Sequence, residues 1–447
     1  MKKTNHLRRF LTPIRSLTFG FSFLSLVGAI ILSLPMASAS GNYTPFLDAL
    51  FTATSAVTTT GLIVVDTGSY YNTFGQTIIL ILFQVGGLGY MIFISLFVLG
   101  FAGKLSMTNR VLLRESINRP GKVDLIKFSK IIIVTTLLIE IIGVIFLTIY
   151  WMNYFGFKEA LYSAVFHSVS AFTTAGFSIY ADSFIKYQSS LPFNLIVISL
   201  IVLGSLGFFV LYDFYLYITN PGKKIRRLAT HTKLVISLML ILTLTAAGLI
   251  FFAEGNIHVN TLKEKIITAI FQAATASTTA GFNTIDIGLM KAQSLFAIII
   301  IMFVGAGPGG TAGGIKLTTF GVLLISLYSQ LTGRKNVAIL RRKISGRTIQ
   351  RAIAITLIAA LWLIVSVLVL TFSEQKSFIQ IFFEVASALG TVGLSAGITG
   401  DLSSLGKIII IITMLIGRVG PLGIGLTVLV REKITSYEYP EDDILVG

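Results

Sequence analysis

Four stretches of the chain carry hydroxyl and glycine residues in one order. They are Ser-Ala-Val-Thr-Thr-Thr-Gly-Leu at 55–62, Ser-Ala-Phe-Thr-Thr-Ala-Gly-Phe at 170–177, Thr-Ala-Ser-Thr-Thr-Ala-Gly-Phe at 275–282 and Ser-Ala-Leu-Gly-Thr-Val-Gly-Leu at 387–394. The ligand type on offer is oxygen, from backbone carbonyls and threonine hydroxyls, and a ring of such oxygens replaces the hydration shell of a cation. The candidate ligating segments are Thr59, Thr60 and Gly61; Thr174, Ala175 and Gly176; Thr279, Ala280 and Gly281; and Thr391, Val392 and Gly393. The glycines permit backbone angles closed to other residues, so that carbonyls can turn toward one axis. Other chemistries find no support. Cysteine is absent, His6, His167, His231 and His258 are scattered, and no serine stands at a plausible spacing from a lysine or histidine. The chain is therefore not read as an enzyme.

The elements that must position these turns follow from composition. Of 447 residues, 54% are hydrophobic and 12% charged, with a mean hydropathy of +0.86, which describes a polytopic membrane protein. The glycines at 61, 176, 281 and 393 are 115, 105 and 112 residues apart, too long for a solenoid repeat and suited to a small transmembrane module. Each module parses as a long apolar helix, a short helix, the turn, and a second long apolar segment. The first helices are expected near 16–37, 128–150, 231–253 and 348–372, and the second segments near 74–101, 193–218, 293–329 and 405–431. The domain parse is a tail at 1–15, repeats at 16–101, 102–218, 219–329 and 330–431, and a tail at 432–447. A short helix that stops at mid-membrane points the negative end of its dipole at the bilayer centre. The fold class is all-α: four tandem helix, pore-helix, helix repeats around one pore. The basic residues fix the topology. Most of the 35 lysines and arginines fall in the N-terminal tail, at 104–130, 223–233 and 316–351, and after the last helix, which puts both termini in the cytoplasm of a multi-pass cell-membrane protein. The same basic patches suit anionic lipid, and no nucleic acid is implied.

Glycine pairs recur in the second segments at 86 and 89, 204 and 207, 305 and 307, and 417 and 420, and are read as close helix packing. Only the third copy is expected to break its helix. There Gly305, Gly307, Gly309, Gly310, Gly313 and Gly314 surround Pro308 and Thr311, a composition no helix survives, placed to obstruct the path below the ring. Lys316 follows, reading equally as a gate contact or a side chain reaching the membrane surface. Arg418, within an apolar segment, has two readings: an electrostatic barrier under the ring, or a buried pair with Glu384. Asp66, Asp182, Asp286 and Asp401 follow the four turns, to concentrate cations or simply to solvate loops, and Glu140 is expected to pair at a helix interface.

The four modules, the break confined to the third, Lys316 beyond it and Arg418 in the fourth together resemble the Ktr/Trk/HKT superfamily of potassium-translocating subunits. The likeness covers essentially the whole chain. No extra helices precede the first module, which looks like the bacterial Ktr type rather than the Trk type. The resemblance implies a potassium-channel-like fold with a potassium ion held at Gly61, Gly176, Gly281 and Gly393. It further implies a homodimer with one pore per subunit, sodium dependence, and control by a cytosolic ring of RCK-type nucleotide-binding subunits. This chain itself has no nucleotide fold. Glycine at all four ring positions fits potassium rather than sodium-selective variants, with a sodium-permeable relative or an alternating-access carrier as the rival readings. Gly390 departs from the pattern, standing where the other copies have Thr58, Thr173 and Thr278. The acidic tail at 437–447 is a candidate docking segment for the dimer or the ring.

Overall fold

The computed structural model describes residues 13–89, 125–219, 228–254, 261–334 and 336–420. Residues 1–12 of the first tail, the second tail, the basic patch at 223–227 and the expected far ends of the second segments at 90–101 and 421–431 lie outside the described residues. Element order repeats along the chain. The first module has α1 (Pro13–Ser33), α2 (Phe46–Val57) and α3 (Thr73–Leu88), and the second α4 (Leu125–Trp151), α5 (Phe157–Phe172), α6 (Leu191–Ser205) and α7 (Phe208–Thr219). The third has α8 (Thr230–Ala253), α9 (Leu262–Ser277), α10 (Ala292–Phe303) and α11 (Leu317–Leu331), and the fourth α12 (Gly346–Ser373), α13 (Phe378–Gly390) and α14 (Ser404–Val419).

Helices α1, α4, α8 and α12 are long and apolar enough to cross a bilayer. One face of α12 shows what surrounds them: Leu357, Leu361, Ile364 and Leu368 recur at helical spacing and are each more than half exposed, a lipid-facing stripe. The short helices are the opposite case. Helices α2, α5, α9 and α13 have 12, 16, 16 and 13 residues, and their last two turns are buried throughout. Their starts carry helix-initiating chemistry, with capping boxes at Thr261 with Glu264 and Ser377 with Gln380, and acids in the first turn at Asp48 and Glu159.

Packing closes the chain on itself. Each long first helix lies along the short helix that follows it, as Gly28 of α1 lies against Ala53 of α2 and Leu82 of α3. Each second helix packs on the short helix of the next module: α3 on α5, α6 on α9, α10 on α13, and finally α14 back on α2. An ion pair reinforces the closing contact, Lys407 of α14 with Asp48 of α2 at 2.6 Å. Glu140 of α4 accepts from Gln84 of α3 at 3.0 Å, so the first two modules also share a polar contact.

One expectation needs correction. The second segments are not continuous helices broken only in the third copy. Helix α3 ends at Gly89 (φ 80°), α14 at Gly420 (φ 97°), and α6 and α7 are bent by 99° about Gly207 (φ 97°). The later glycine of each of these pairs takes a left-handed backbone that stops the helix. The earlier glycine does the close packing: a Cβ on Gly204 would lie 2.8 Å from the carbonyl carbon of Phe172, and Gly86 and Gly417 press in the same way on Val57 and Leu389. The fold class stands as all-α: the one sheet among the described residues is a small antiparallel hairpin of 338–339 with 342–343.

Candidate functional site

The four turns begin where the short helices end, and their geometry is the same in each module. The N–H groups point back into the protein. Those of Thr60, Ala175, Ala280 and Val392 donate to the carbonyls of Ser55, Ser170, Thr275 and Ser387 at 2.8–2.9 Å. The N–H of Gly61 donates to the Ser55 hydroxyl at 3.0 Å and that of Gly393 to the Ser387 hydroxyl at 3.1 Å, while the Ser170 hydroxyl donates to the Phe177 carbonyl at 2.7 Å. Among the described residues, no hydrogen bond is accepted by the carbonyls of the twelve candidate ligating residues. These carbonyls are therefore free for a ligand.

Their directions converge. A Cβ built on Gly61 would meet the Ala175 carbonyl at 2.5 Å and one on Gly176 the Ala280 carbonyl at 2.8 Å; Gly281 abuts the Val392 carbonyl and Gly393 the Thr60 carbonyl more closely still. Each turn thus touches the next and the fourth touches the first, a closed ring with no room for a side chain. The glycines are left-handed at φ 90°, 70°, 81° and 91°, and so are Thr59, Thr174, Thr279 and Thr391 at φ 52°, 51°, 56° and 49°. A β-branched residue in that region costs on the order of 1–3 kcal/mol and persists only where its surroundings enforce it. Sequence reading located the strain in the glycines alone. The fourfold recurrence of threonine two positions earlier was the available signal.

The segment at 305–314 is a strap that runs across the ring on the side of these threonines. Val304 and Ile315 pair at its base, and Gly309 and Gly314 take left-handed angles within it. Its anchor is Thr311, which is fully buried. The Thr311 carbonyl accepts from the Thr59 hydroxyl at 3.1 Å and from Nη1 of Arg418. Its hydroxyl accepts from Thr174 at 3.0 Å and donates to the Gly204 carbonyl at 3.1 Å. Gly313 lies against Thr391. The strap therefore meets the first, second and fourth modules at once, and further bonds tie Gly307 N–H to Ser205 and Gly309 carbonyl to Phe208 N–H, both at 3.0 Å.

Arg418 is not paired with Glu384. Its guanidinium spends its donors on carbonyls, those of Thr311, Gly86 and, at 3.2 Å, Gly87. The carbonyls at the end of α3 lie just before the stop at Gly89, so a helix terminus supplies acceptors where one of the two readings placed an acidic partner. Glu384 instead accepts from the hydroxyls of Ser395, at 2.8 Å, and Thr399. Lys316 folds back on its own strap, donating to the carbonyls of Ala312 at 2.6 Å and Gly313 at 3.3 Å. The acids after the turns serve locally. Asp66 and Asp286 accept from backbone N–H groups at Ser69 (2.7 Å) and Gly288 (2.8 Å), and the bond and charge of Lys376, at 2.8 Å, hold the Asp401 carboxyl below its ordinary range.

Gly390 now has a physical account. Thr58, Thr173 and Thr278 bond their hydroxyls to the last turn of their own short helices at 2.6–2.7 Å. A Cβ on Gly390 would instead meet the Met302 carbonyl at 2.5 Å and Val392 at 2.8 Å. Met302 sits where α10 unwinds into the strap, so the broken helix of the third module occupies the space that threonine fills elsewhere.

A membrane-spanning helical ring closed by four oxygen-lined turns on one axis is the architecture of a cation-transport protein. The chain belongs to the TrkH cation transport protein family, whose sequence model matches residues 22–437. It is 37% identical to the Ktr system potassium uptake protein B of Bacillus subtilis, covering 98% of this chain and 97% of that protein. It is 34% identical to the potassium/sodium uptake protein NtpJ of Enterococcus hirae, over 100% and 99% of the two chains. The crystal structure of the potassium transporter TrkH from Vibrio parahaemolyticus shares the fold at a TM-score of 0.73 and 20% identity, over 93% of this chain and 84% of that one. The family is one of transporters, not enzymes.

The crowding at Gly390 yields a stability prediction. Gly390→Thr, which would restore the fourfold hydroxyl pattern, should destabilise the protein by about 1–3 kcal/mol, the usual range for overpacking. Thermal denaturation followed by size-exclusion of detergent-solubilised protein would read this as a lower melting temperature. A variant as stable as the parent would show that the strap does not crowd this site.

Proposed function

We propose that the chain is the ion-translocating subunit of a bacterial potassium-uptake system of the Ktr type, and that the ring of Thr59–Gly61 and its three counterparts is its selectivity filter. The observation that carries this reading is the closed ring of unbonded carbonyls with the Thr311 strap lying directly across it. Dehydration of a cation at mid-membrane needs oxygens already fixed in place, and the turns hold theirs because the N–H groups of Thr60, Ala175, Ala280 and Val392, with those of Gly61 and Gly393, are bonded back into the protein. The short helices add the negative ends of their dipoles. The strap, with Arg418 fastened to it, is the gate. The resemblance and the two uptake-protein relatives support potassium as cargo, and NtpJ supports sodium as a second ion. On the same reading the chain works as a homodimer in the cell membrane with both termini in the cytoplasm, is sodium-dependent, and is opened by a cytosolic RCK-type ring. The nucleotide is bound by that ring and not by this chain.

Flux of potassium, rubidium and sodium into liposomes holding the purified protein tests the cargo. Gly61→Ser puts a side chain into the Ala175 carbonyl and should relax the preference for potassium over sodium more than it lowers the yield of folded protein. An unchanged preference would remove Gly61 from the selecting ring.

The gate has its own test. Arg418→Gln removes the guanidinium from the Thr311 carbonyl and with it a cationic group whose repulsion, at 4–8 Å and an effective dielectric near 20, is on the order of 2–4 kcal/mol. Rubidium uptake per folded protein should rise, by up to about 30-fold if 2 kcal/mol is felt in the barrier, and should depend less on the regulatory ring. Deleting three of the strap glycines should act in the same direction. A fall in uptake for both variants would mean that Arg418 and the strap hold the fold together and do not gate it.

A further inference from the structure

The turns repeat in sequence, but the residues behind them do not. Nine positions before each ring glycine, within the short helix, stand Thr52, His167, Gln272 and Glu384, and all four are fully buried. Three of them reach the segment just past their glycine. His167 Nδ1 faces the Ser163 carbonyl at 2.8 Å and so carries the proton, which leaves Nε2 to accept from the Ser178 hydroxyl at 3.0 Å. Gln272 donates to the Thr284 hydroxyl at 3.3 Å. Glu384 makes the most extensive tie. Its two carboxyl oxygens accept separately from Ser395 and Thr399, whose hydroxyls lie 2.9 Å apart, and Ser395 in turn accepts from the N–H of Gly397 at 3.0 Å. In the first module Thr52 bonds to Asp48 of its own helix at 2.9 Å, and Ile63, Val64 and Val65 past the ring offer no side-chain hydroxyl.

The fourth quadrant is where such a tie has most to do. In the first module Thr58 and Thr60 join hydroxyls at 2.7 Å and brace the turn from within. In the fourth these positions are Gly390 and Val392, and the Thr391 hydroxyl has no partner among the described residues. The strap excludes a threonine at 390, so this turn lacks the hydroxyl that Thr58, Thr173 and Thr278 bond to their helices, and beside the bond from Gly393 N–H to Ser387 the polar network adjoining it among the described residues is the one centred on Glu384. A binding group must be held within about 0.5 Å to discriminate between similar ligands, and that precision comes from the residues behind it.

We propose that Glu384 is a positioning residue for cation selection, fixing the fourth turn of the ring from behind by anchoring Ser395 and Thr399. The inference rests on the reading of the ring as the selecting element. In liposomes, with flux normalised to monodisperse protein, Glu384→Ala should lower the potassium-to-sodium flux ratio about tenfold, the effect of about one lost hydrogen bond of the stronger kind. Glu384→Gln keeps one acceptor oxygen and should stay within about threefold of the parent. If the alanine variant does not fold, Ser395→Ala with Thr399→Val removes the same ties from the loop side and should reproduce the tenfold loss. A parental ratio in either the alanine variant or the loop double variant overturns the proposal, as does an equal loss in Glu384→Gln and Glu384→Ala. A parent protein without preference for potassium would instead sink the reading of the ring itself.

Discussion

Backbone that leaves a helix inside a membrane needs partners for its N–H groups, and the rest of this structure is arranged around bonding those that lead into the four turns while leaving the carbonyls free. The N–H groups of 60, 175, 280 and 392 return to the last turn of the short helices, and hydroxyls at 55 and 387 take those of Gly61 and Gly393. That requirement explains why the motif opens with serine or threonine and why the short helices end at mid-depth. The left-handed threonines are its cost, since they turn the chain sharply enough for the following carbonyls to face inward. Cyclic packing of each second helix on the next short helix supplies the rigidity that enforces them.

Fourfold likeness is broken where the strap enters. Once α10 unwinds after Phe303, its freed backbone needs partners, and it takes them from Ser205, Phe208, Gly417 and Arg418 of the second and fourth modules. Thr311 is thereby set against Thr59 and Thr174, and Met302 is pushed toward Gly390. One sequence change in the third module thus accounts for the missing threonine in the fourth and for the placement of an arginine in an apolar helix. Arg418 bridges the strap and the end of α3, so the strap cannot move without releasing that cation from carbonyls it needs at this depth.

Much of this was legible in the sequence because the legible parts repeat. Four copies of one motif, four long apolar runs and one glycine-rich interruption specify the class of fold and the segments that meet on the axis. Apart from the strain at the four repeated threonines, what was missed does not repeat in residue type or is masked by composition. The stop at Gly207 lies inside an unbroken apolar run, so hydropathy reads across it, whereas the backbone angle is set by packing against Pro308. Thr52, His167, Gln272 and Glu384 share a position but no chemistry, which hides them from any comparison of types. For Arg418 the sequence leaves open a barrier under the ring or a pair with Glu384, and it does not show that a helix end offers carbonyls that serve as partners and need no countercharge.

The central claim is that the ring is where a cation sheds its water. Anomalous scattering from crystals grown with rubidium in place of potassium tests this most directly. The account predicts a rubidium peak on the axis, enclosed by the carbonyls around Gly61, Gly176, Gly281 and Gly393, with the Thr311 strap beneath it. Well-ordered turns with no rubidium between them, and rubidium bound elsewhere in the membrane region, would contradict it.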